Sequence, residues 1–127
     1  MDVTPAIARD KKLITGYGSG SFKINGEWLE GSLLVFPDRI IPWPAKNAAE
    51  ISIETLGALI SSHSGEGALE LLLIGTGNHM TIIDPAFRSF LKSRNIAVDS
   101  MDTGAACRTY NVLLGEERRV AAALIAI

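Results

Sequence analysis

Two kinds of hydrophobic pattern divide the chain. Up to about residue 44 the apolar positions come in short alternating runs broken by Gly, Asn and Pro, and beyond residue 55 they stand in unbroken blocks or recur at helical spacing. The first part therefore reads as an antiparallel meander. Leu13–Ile24 alternates loosely and puts Phe22 and Ile24 on one face. Asn25-Gly26 then closes a hairpin, because that pair favours the positive φ angles of a type I′ turn, and Glu27–Phe36 is the partner strand. Pro37-Asp38 turns the chain again, into a short strand, Arg39–Pro44, stopped by its two prolines.

The second part is organised around Leu69–Ile74, a short apolar block that runs into Gly75-Thr76-Gly77 and suits a central strand covered on both faces. A short helix, Thr55–His63, precedes it. An extended piece, Met80–Ile83, follows, and Asp84-Pro85 marks a helix start with Asp as N-cap and Pro at the first helical position. That helix runs to about Arg94, buries Phe87, Phe90 and Leu91, and has Asn95 as its C′ residue. Ile96–Met101 is a strand. Asp102 or Thr103 caps a further helix, Ala105–Leu114, with Ala106, Tyr110, Leu113 and Leu114 inside and Gly115 as its stop. Val120–Ile127 is the last strand; its alanines would suit a helix equally, but a strand completes a second β-α-β unit. The expected fold class is α/β: three layers, a mixed central sheet, and an N-terminal antiparallel meander followed by β-α-β-α-β.

Bulk properties narrow the function classes. A chain of 127 residues with 47% apolar content reads as a single domain over 1–127, with residues 1–12 as a flexible arm. A net charge of -2 with scattered basic residues offers no stripe for nucleic acid, so no nucleic-acid partner is expected. The longest apolar run, Val120–Ile127, falls far short of the roughly 20 residues of a membrane helix, and the helical periodicity is a poor fit to an outer-membrane barrel. An integral membrane protein is therefore not expected. The sole cysteine, Cys107, suits a reducing compartment, and no signal or transit peptide is recognisable at the start, so the expected location is cytoplasmic.

Ligands of open parallel sheets bind beyond the carboxyl ends of the strands. That rule brings Gly75, Thr76, Gly77 and Asn78 near the 100–104 loop with Thr103, and Thr109 and Asn111 supply polar walls. The glycines there either let backbone N–H groups approach a small anion or simply provide a turn. Phosphate-binding fingerprints are incomplete: Met80 stands where a third glycine belongs, and there is no Gly-Lys-Ser/Thr. Cys107, in the first turn or so of its helix, stands where a helix dipole lowers a thiol pKa, with His79 as the only base at that end, but a lone cysteine on an alanine-rich helix is usually a small packed residue. His63, His79 and Cys107 lack metal-ligand spacing, so no catalytic residue, metal or cofactor is assigned. Trp43, between two prolines, is either an edge anchor for a partner or a core residue, and Trp28 is a second interface candidate.

Several pieces together carry a resemblance. They are Gly75-Thr76-Gly77 after the leucine strand, the helix and the strand Ile96–Met101, the helix with Thr103, Ala106, Thr109, Tyr110 and Asn111, and the run Glu116, Arg118, Arg119 and Val120–Leu124. With Gly31–Val35 and Trp43 upstream, they resemble the small α/β family that includes mitochondrial NADH dehydrogenase (complex I) assembly factor 3. The likeness runs from Gly16 onward, and the lack of a targeting extension points to a compact bacterial relative. It implies a three-layer fold with a mixed sheet, no established catalytic residues or cofactor, and a protein partner. The leading expectation is a non-catalytic protein-interaction or assembly factor, linked to a respiratory complex. The other is a small-molecule (anion) binding protein or an enzyme using loops 75–78 and 100–104.

Overall fold

In the computed structural model, which describes residues 11–52, 56 and 69–127, the middle of the main sheet is built from the chain's last strand. In chain order the strands are β1 (Ile14–Gly18), β2 (Ser21–Ile24), β3 (Glu27–Glu30), β4 (Leu33–Phe36), β5 (Arg39–Pro42), β6 (Leu71–Gly75), β7 (Ala97–Met101) and β8 (Val120–Leu124). Among the described residues a 3-10 turn spans Ala48–Glu50, and two helices described from end to end follow it, α1 (Pro85–Lys92) and α2 (Thr103–Gly115). β1-β2-β3 form a small antiparallel sheet, and β5-β4-β8-β6-β7 form a five-stranded mixed sheet. β8 is parallel to β6 and antiparallel to β4, and β6 is parallel to β7. The expected mixed α/β fold, a meander followed by β-α-β-α-β, is what the chain adopts.

The alanines of β8 explain its central place. The registers align Leu34, Ala123 and Ile74 in one row and Val35, Ala122 and Leu73 in the next, on opposite faces by the period of two. Each row is large-small-large, so bulky side chains from the covering layers seat over the alanines. One face packs Leu34, Phe36, Leu72 and Ile74 against Phe87 and Leu91 of α1, with Trp43 and Leu56. The other packs Val35, Leu73 and Leu124 against Ala106, Tyr110 and Leu114 of α2 and against Ile14, Phe22 and Ile24 of the small sheet. Leu69–Ile74 was expected at the centre; it supplies β6, an inner strand one place away from the middle.

Glycine conformations divide the meander differently from the alternation pattern. Leu13–Ile24 is not one strand: Ser19 (φ 52) and Gly20 (φ 78) turn it back on itself as β1 and β2. Glu27–Phe36 breaks at Gly31, whose φ of +90° sends β3 to the small sheet and β4 into the large one. The Asn25-Gly26 hairpin is as expected, with φ 50 and 88. Asn25 also accepts the Leu13 N–H through Oδ1 at 2.8 Å and donates from Nδ2 to the Lys11 carbonyl at 2.9 Å.

Asp84 caps α1 by accepting the Ala86 N–H (2.9 Å), and Asp102 caps α2 by accepting that of Ala105 (2.9 Å). α1 ends at Lys92, with Asn95 beyond it at φ 60. Met80–Ile83 joins no ladder. α2 starts at Thr103 and runs through Gly115, so that glycine does not stop it. The left-handed position falls on Glu117 (φ 61), whose N–H bonds the Leu114 carbonyl while that of Arg118 bonds Leu113. The expected helix Thr55–His63 lies outside the described residues except for Leu56, which is fully buried. Residues 1–10 of the expected arm also lie outside, and Lys12 donates its N–H to the Pro37 carbonyl.

Candidate functional site

Consecutive strands β6 and β7 send their following helices to opposite faces, which makes the carboxyl ends of these two strands the switch point of the sheet. Here that point is sewn closed. Thr76 N–H donates to the Met101 carbonyl (2.9 Å), and Thr103 N–H donates to the Gly77 carbonyl (2.8 Å). The Thr103 hydroxyl accepts the Gly77 N–H (2.9 Å) and donates to the Ile125 carbonyl (2.8 Å), fully buried. Ile125 N–H in turn donates to the Gly75 carbonyl at 2.9 Å. Three strand ends are therefore tied by one side chain at the start of α2.

Gly75 permits this closure through its size. A Cβ there would stand 2.9 Å from Thr103 Cα and 3.2 Å from Leu124 Cδ2. Only Gly77 of this pair sits at positive φ, +110°. The Thr76 hydroxyl is engaged as well: it lies 2.7 Å from the His79 carbonyl and 3.2 Å from that of Met101, and it accepts the Thr81 N–H at 3.0 Å. The two hydroxyls nearest the switch point thus serve backbone groups.

The other sequence-derived residues fall in different places. Asn111 grips the backbone of Ile14, accepting its N–H at 3.0 Å and donating to its carbonyl at 2.6 Å, so α2 closes the free edge of β1. Thr109 Oγ1 lies 3.5 Å from Met101 Sδ. Neither joins Thr76 and Thr103. Trp43 is 3% exposed and packs in the core, so its reading as an edge anchor is corrected. Trp28 is 56% exposed on the outer face of the small sheet, where its ring edge reaches Gly16 beside Lys23. Cys107 is buried, and burial pushes its thiol up to about 12, outweighing the helix dipole that was expected to favour thiolate.

Beside the closed switch point lies an open groove of about 500 Å³ between the 3-10 turn and the ends of β6 and β8. Thr76, Gly77 and Asn78 line it, joined by Lys46, Ala48 and His79. A second hollow of about 320 Å³, with Gly31, Ser32 and Trp43 in its walls, shares Lys46 and Ala126 with the first. The Lys46–Ala49 wall is not legible in the sequence pattern; its one local signal is Asn47, which accepts the Ala49 N–H at 3.0 Å and caps the turn. No group of His, Cys, Asp and Glu among the described residues could hold a metal, and no helix among them is long and apolar enough to cross a membrane.

Comparison with known proteins identifies the family. NADH dehydrogenase [ubiquinone] 1 alpha subcomplex assembly factor 3 of Xenopus tropicalis is 36% identical over 112 residues, 88% of this chain and 60% of that protein. The chain thus spans about three fifths of the length of such curated relatives. Among solved structures, an outer membrane protein from Bartonella henselae superposes with a TM-score of 0.82 at 33% identity, over 93% of this chain and 97% of that one. A Mth938-like domain protein from Bordetella pertussis gives a TM-score of 0.82 at 28% identity, over 98% of this chain and 91% of that one. The model of the family described as protein of unknown function (DUF498/DUF598) matches residues 14–125, and the chain belongs to that family.

Proposed function

We propose that this chain is a non-catalytic protein-interaction factor that serves the assembly of a multi-subunit complex, a respiratory complex being the first to test. The observation that carries the reading is the closed switch point. Where an α/β sheet of this kind would hold a substrate, the hydroxyls of Thr76 and Thr103 are spent on backbone groups and Gly75 leaves no gap. The relatives named as complex I assembly factors support the same direction. We place the protein in the cytoplasm, where its lone thiol stays reduced.

The test is capture from native extract of the source cells with the tagged chain under mild cross-linking, with separate soluble and membrane fractions. The reading requires a defined, stoichiometric protein set, enriched in subunits of one complex, that an unrelated α/β domain does not retain. Turnover of a small molecule by the purified chain, or no stable partner in either fraction, would overturn it.

A further inference from the structure

β3 forms one border of the small sheet, and no described strand pairs with its outer edge. Which backbone groups lie there follows from the register. Asn25-Gly26 is a two-residue turn, so Ile24 and Glu27 form a hydrogen-bonded pair, and Phe22 with Leu29 is the next. The Gly31 N–H continues the series by donating to the Gly20 carbonyl at 2.8 Å. Trp28 and Glu30 therefore turn their N–H and C=O groups outward, and no hydrogen bond among the described residues reaches them. Other edges carry a block that β3 lacks. Asn111 holds the outer side of β1, Arg88 Nη1 donates to the Val98 carbonyl of β7 at 3.0 Å, and Pro42 in β5 has no N–H to offer. Side chains complete the picture: Glu27, Trp28 and Glu30 are all exposed. By the period of two, Trp28 and Glu30 share the outer face of the sheet and Glu27 and Leu29 the other. Neither carboxylate has a hydrogen bond or ion pair among the described residues. Lys23, the cation of the neighbouring strand, is drawn instead over the Trp28 ring, 6.0 Å from its centre.

We propose that the outer edge of β3 takes up an extended basic segment of a partner protein as a fourth strand of the small sheet. Its main chain pairs with the backbone of Trp28 and Glu30, its cationic side chains meet Glu30 and Glu27, and an apolar side chain lies beside Leu29. The assignment rests on the interaction-factor reading above and adds to it the face used and the partner's chemistry. Main-chain bonds along a free edge supply affinity, and the side chains beside them supply choice. Charge makes that choice here. A second copy paired strand to strand would crowd four carboxylates onto one seam, and an acidic segment would add to the two already there. The glutamates thus block self-association, as edge charges do, without blocking a strand of opposite sign. This use also accounts for a large indole left 56% exposed on an edge otherwise short and charged.

The experiment is a titration of the isotope-labelled full chain, followed by amide correlation spectra and hydrogen exchange, with three probes. These are the peptide Ac-Thr-Arg-Val-Tyr-Lys-Thr-NH2, its counterpart with Glu for Arg and Lys, and the basic peptide N-methylated at the backbone of Arg and Tyr. The expected result with the basic peptide is saturable shifts at the amides of Trp28, Leu29, Glu30 and Gly31, and slowed exchange at Trp28 and Glu30. Affinity should weaken about tenfold or more in the double variant Glu27→Lys with Glu30→Lys, and fall with salt. Both side chains are exposed, so the variant keeps the wild-type spectrum elsewhere. The inference falls if the basic peptide gives no saturable shifts or the acidic one binds as well. It falls too if the N-methylated peptide binds as well, which would leave charge attraction without strand pairing, or if protein concentration alone moves these amides, which would make the edge a self-association face. A partner captured equally well by the double variant would remove this edge while leaving the interaction-factor reading in place.

Discussion

Replacing Thr103 by Val removes one oxygen and very little shape, and the structure says what that oxygen holds. It accepts the Gly77 N–H and donates to the Ile125 carbonyl, at 2.9 and 2.8 Å, in a fully buried position. In the variant both backbone groups lose their partner where water does not reach. Each orphaned buried group costs about 1–3 kcal/mol, so Thr103→Val should lose about 2–6 kcal/mol. That is a large share of the roughly 5–15 kcal/mol expected for a whole domain. Thr103→Ser keeps the hydroxyl and drops only a methyl group, for about 1 kcal/mol. Urea denaturation followed by far-ultraviolet circular dichroism gives the two values, and hydrogen exchange at the Gly77 amide reports the local bond. The Val variant should show a lowered midpoint at unchanged slope and fast exchange at Gly77. If Thr103→Val lies within about 0.5 kcal/mol of wild type, a surface-like value, or Ser is as damaging as Val, the switch point is not held closed by this hydroxyl.

Four further outcomes follow from the same geometry. Gly75→Ala should destabilise by about 1–3 kcal/mol in thermal or urea melts, because its Cβ would meet the backbone of Thr103 at 2.9 Å; an unchanged midpoint would refute the steric account. Asn111→Ala should cost about 1–3 kcal/mol and speed exchange at the Ile14 amide, since both backbone groups of that residue lose the side-chain amide. Glu117→Gly should stabilise by about 1 kcal/mol, because a non-glycine residue holds the left-handed position after α2; a lower midpoint would count against it. Cys107 should resist a thiol reagent in the native state at pH 8 and react on addition of denaturant. Its thiol, raised from 9.0 to about 12, stabilises the fold fully below pH 9, and that contribution falls as pH climbs from 9 toward 12, since only the unfolded chain then loses the proton. Burial of Tyr110 acts in the same direction at still higher pH.

Much of the architecture was legible because local signals and burial agree. Asp84-Pro85, Asp102 and Asn25-Gly26 each act through their own side chain or backbone angle, and the structure uses each as expected. The failures share a cause. At Gly31 one residue's φ decides which sheet each half of an apolar run enters, and alternation does not encode that angle. At Gly115 and Glu117 the helix stop is set by what the next strand requires, because Arg118 and Arg119 must reach Glu70. Glu70 accepts from Arg118 Nε at 2.8 Å and the Arg119 N–H at 3.0 Å, which aligns the starts of β6 and β8. These two residues hold its carboxyl below the ordinary carboxylate range.

The central place of β8 was hidden for a related reason. A row of alanines carries a weak hydrophobic signal, yet small residues are what the middle of a doubly covered sheet needs when its neighbours are Leu34, Val35, Leu73 and Ile74. The same logic separates the candidate site into what sequence could and could not reach. Proximity of Gly75, Thr76 and Gly77 to Thr103 follows from topology, and the structure brings them together. Which partners the hydroxyls take follows from distances of a few tenths of an ångström, and those distances turn a ligand crevice into a knot. Once the knot is tied, the open surface moves sideways, to a groove whose far wall, Lys46–Ala49, comes from a segment that topology alone does not place there. The fold closes its own switch point and leaves its open groove beside it, between the strand ends and the 3-10 turn.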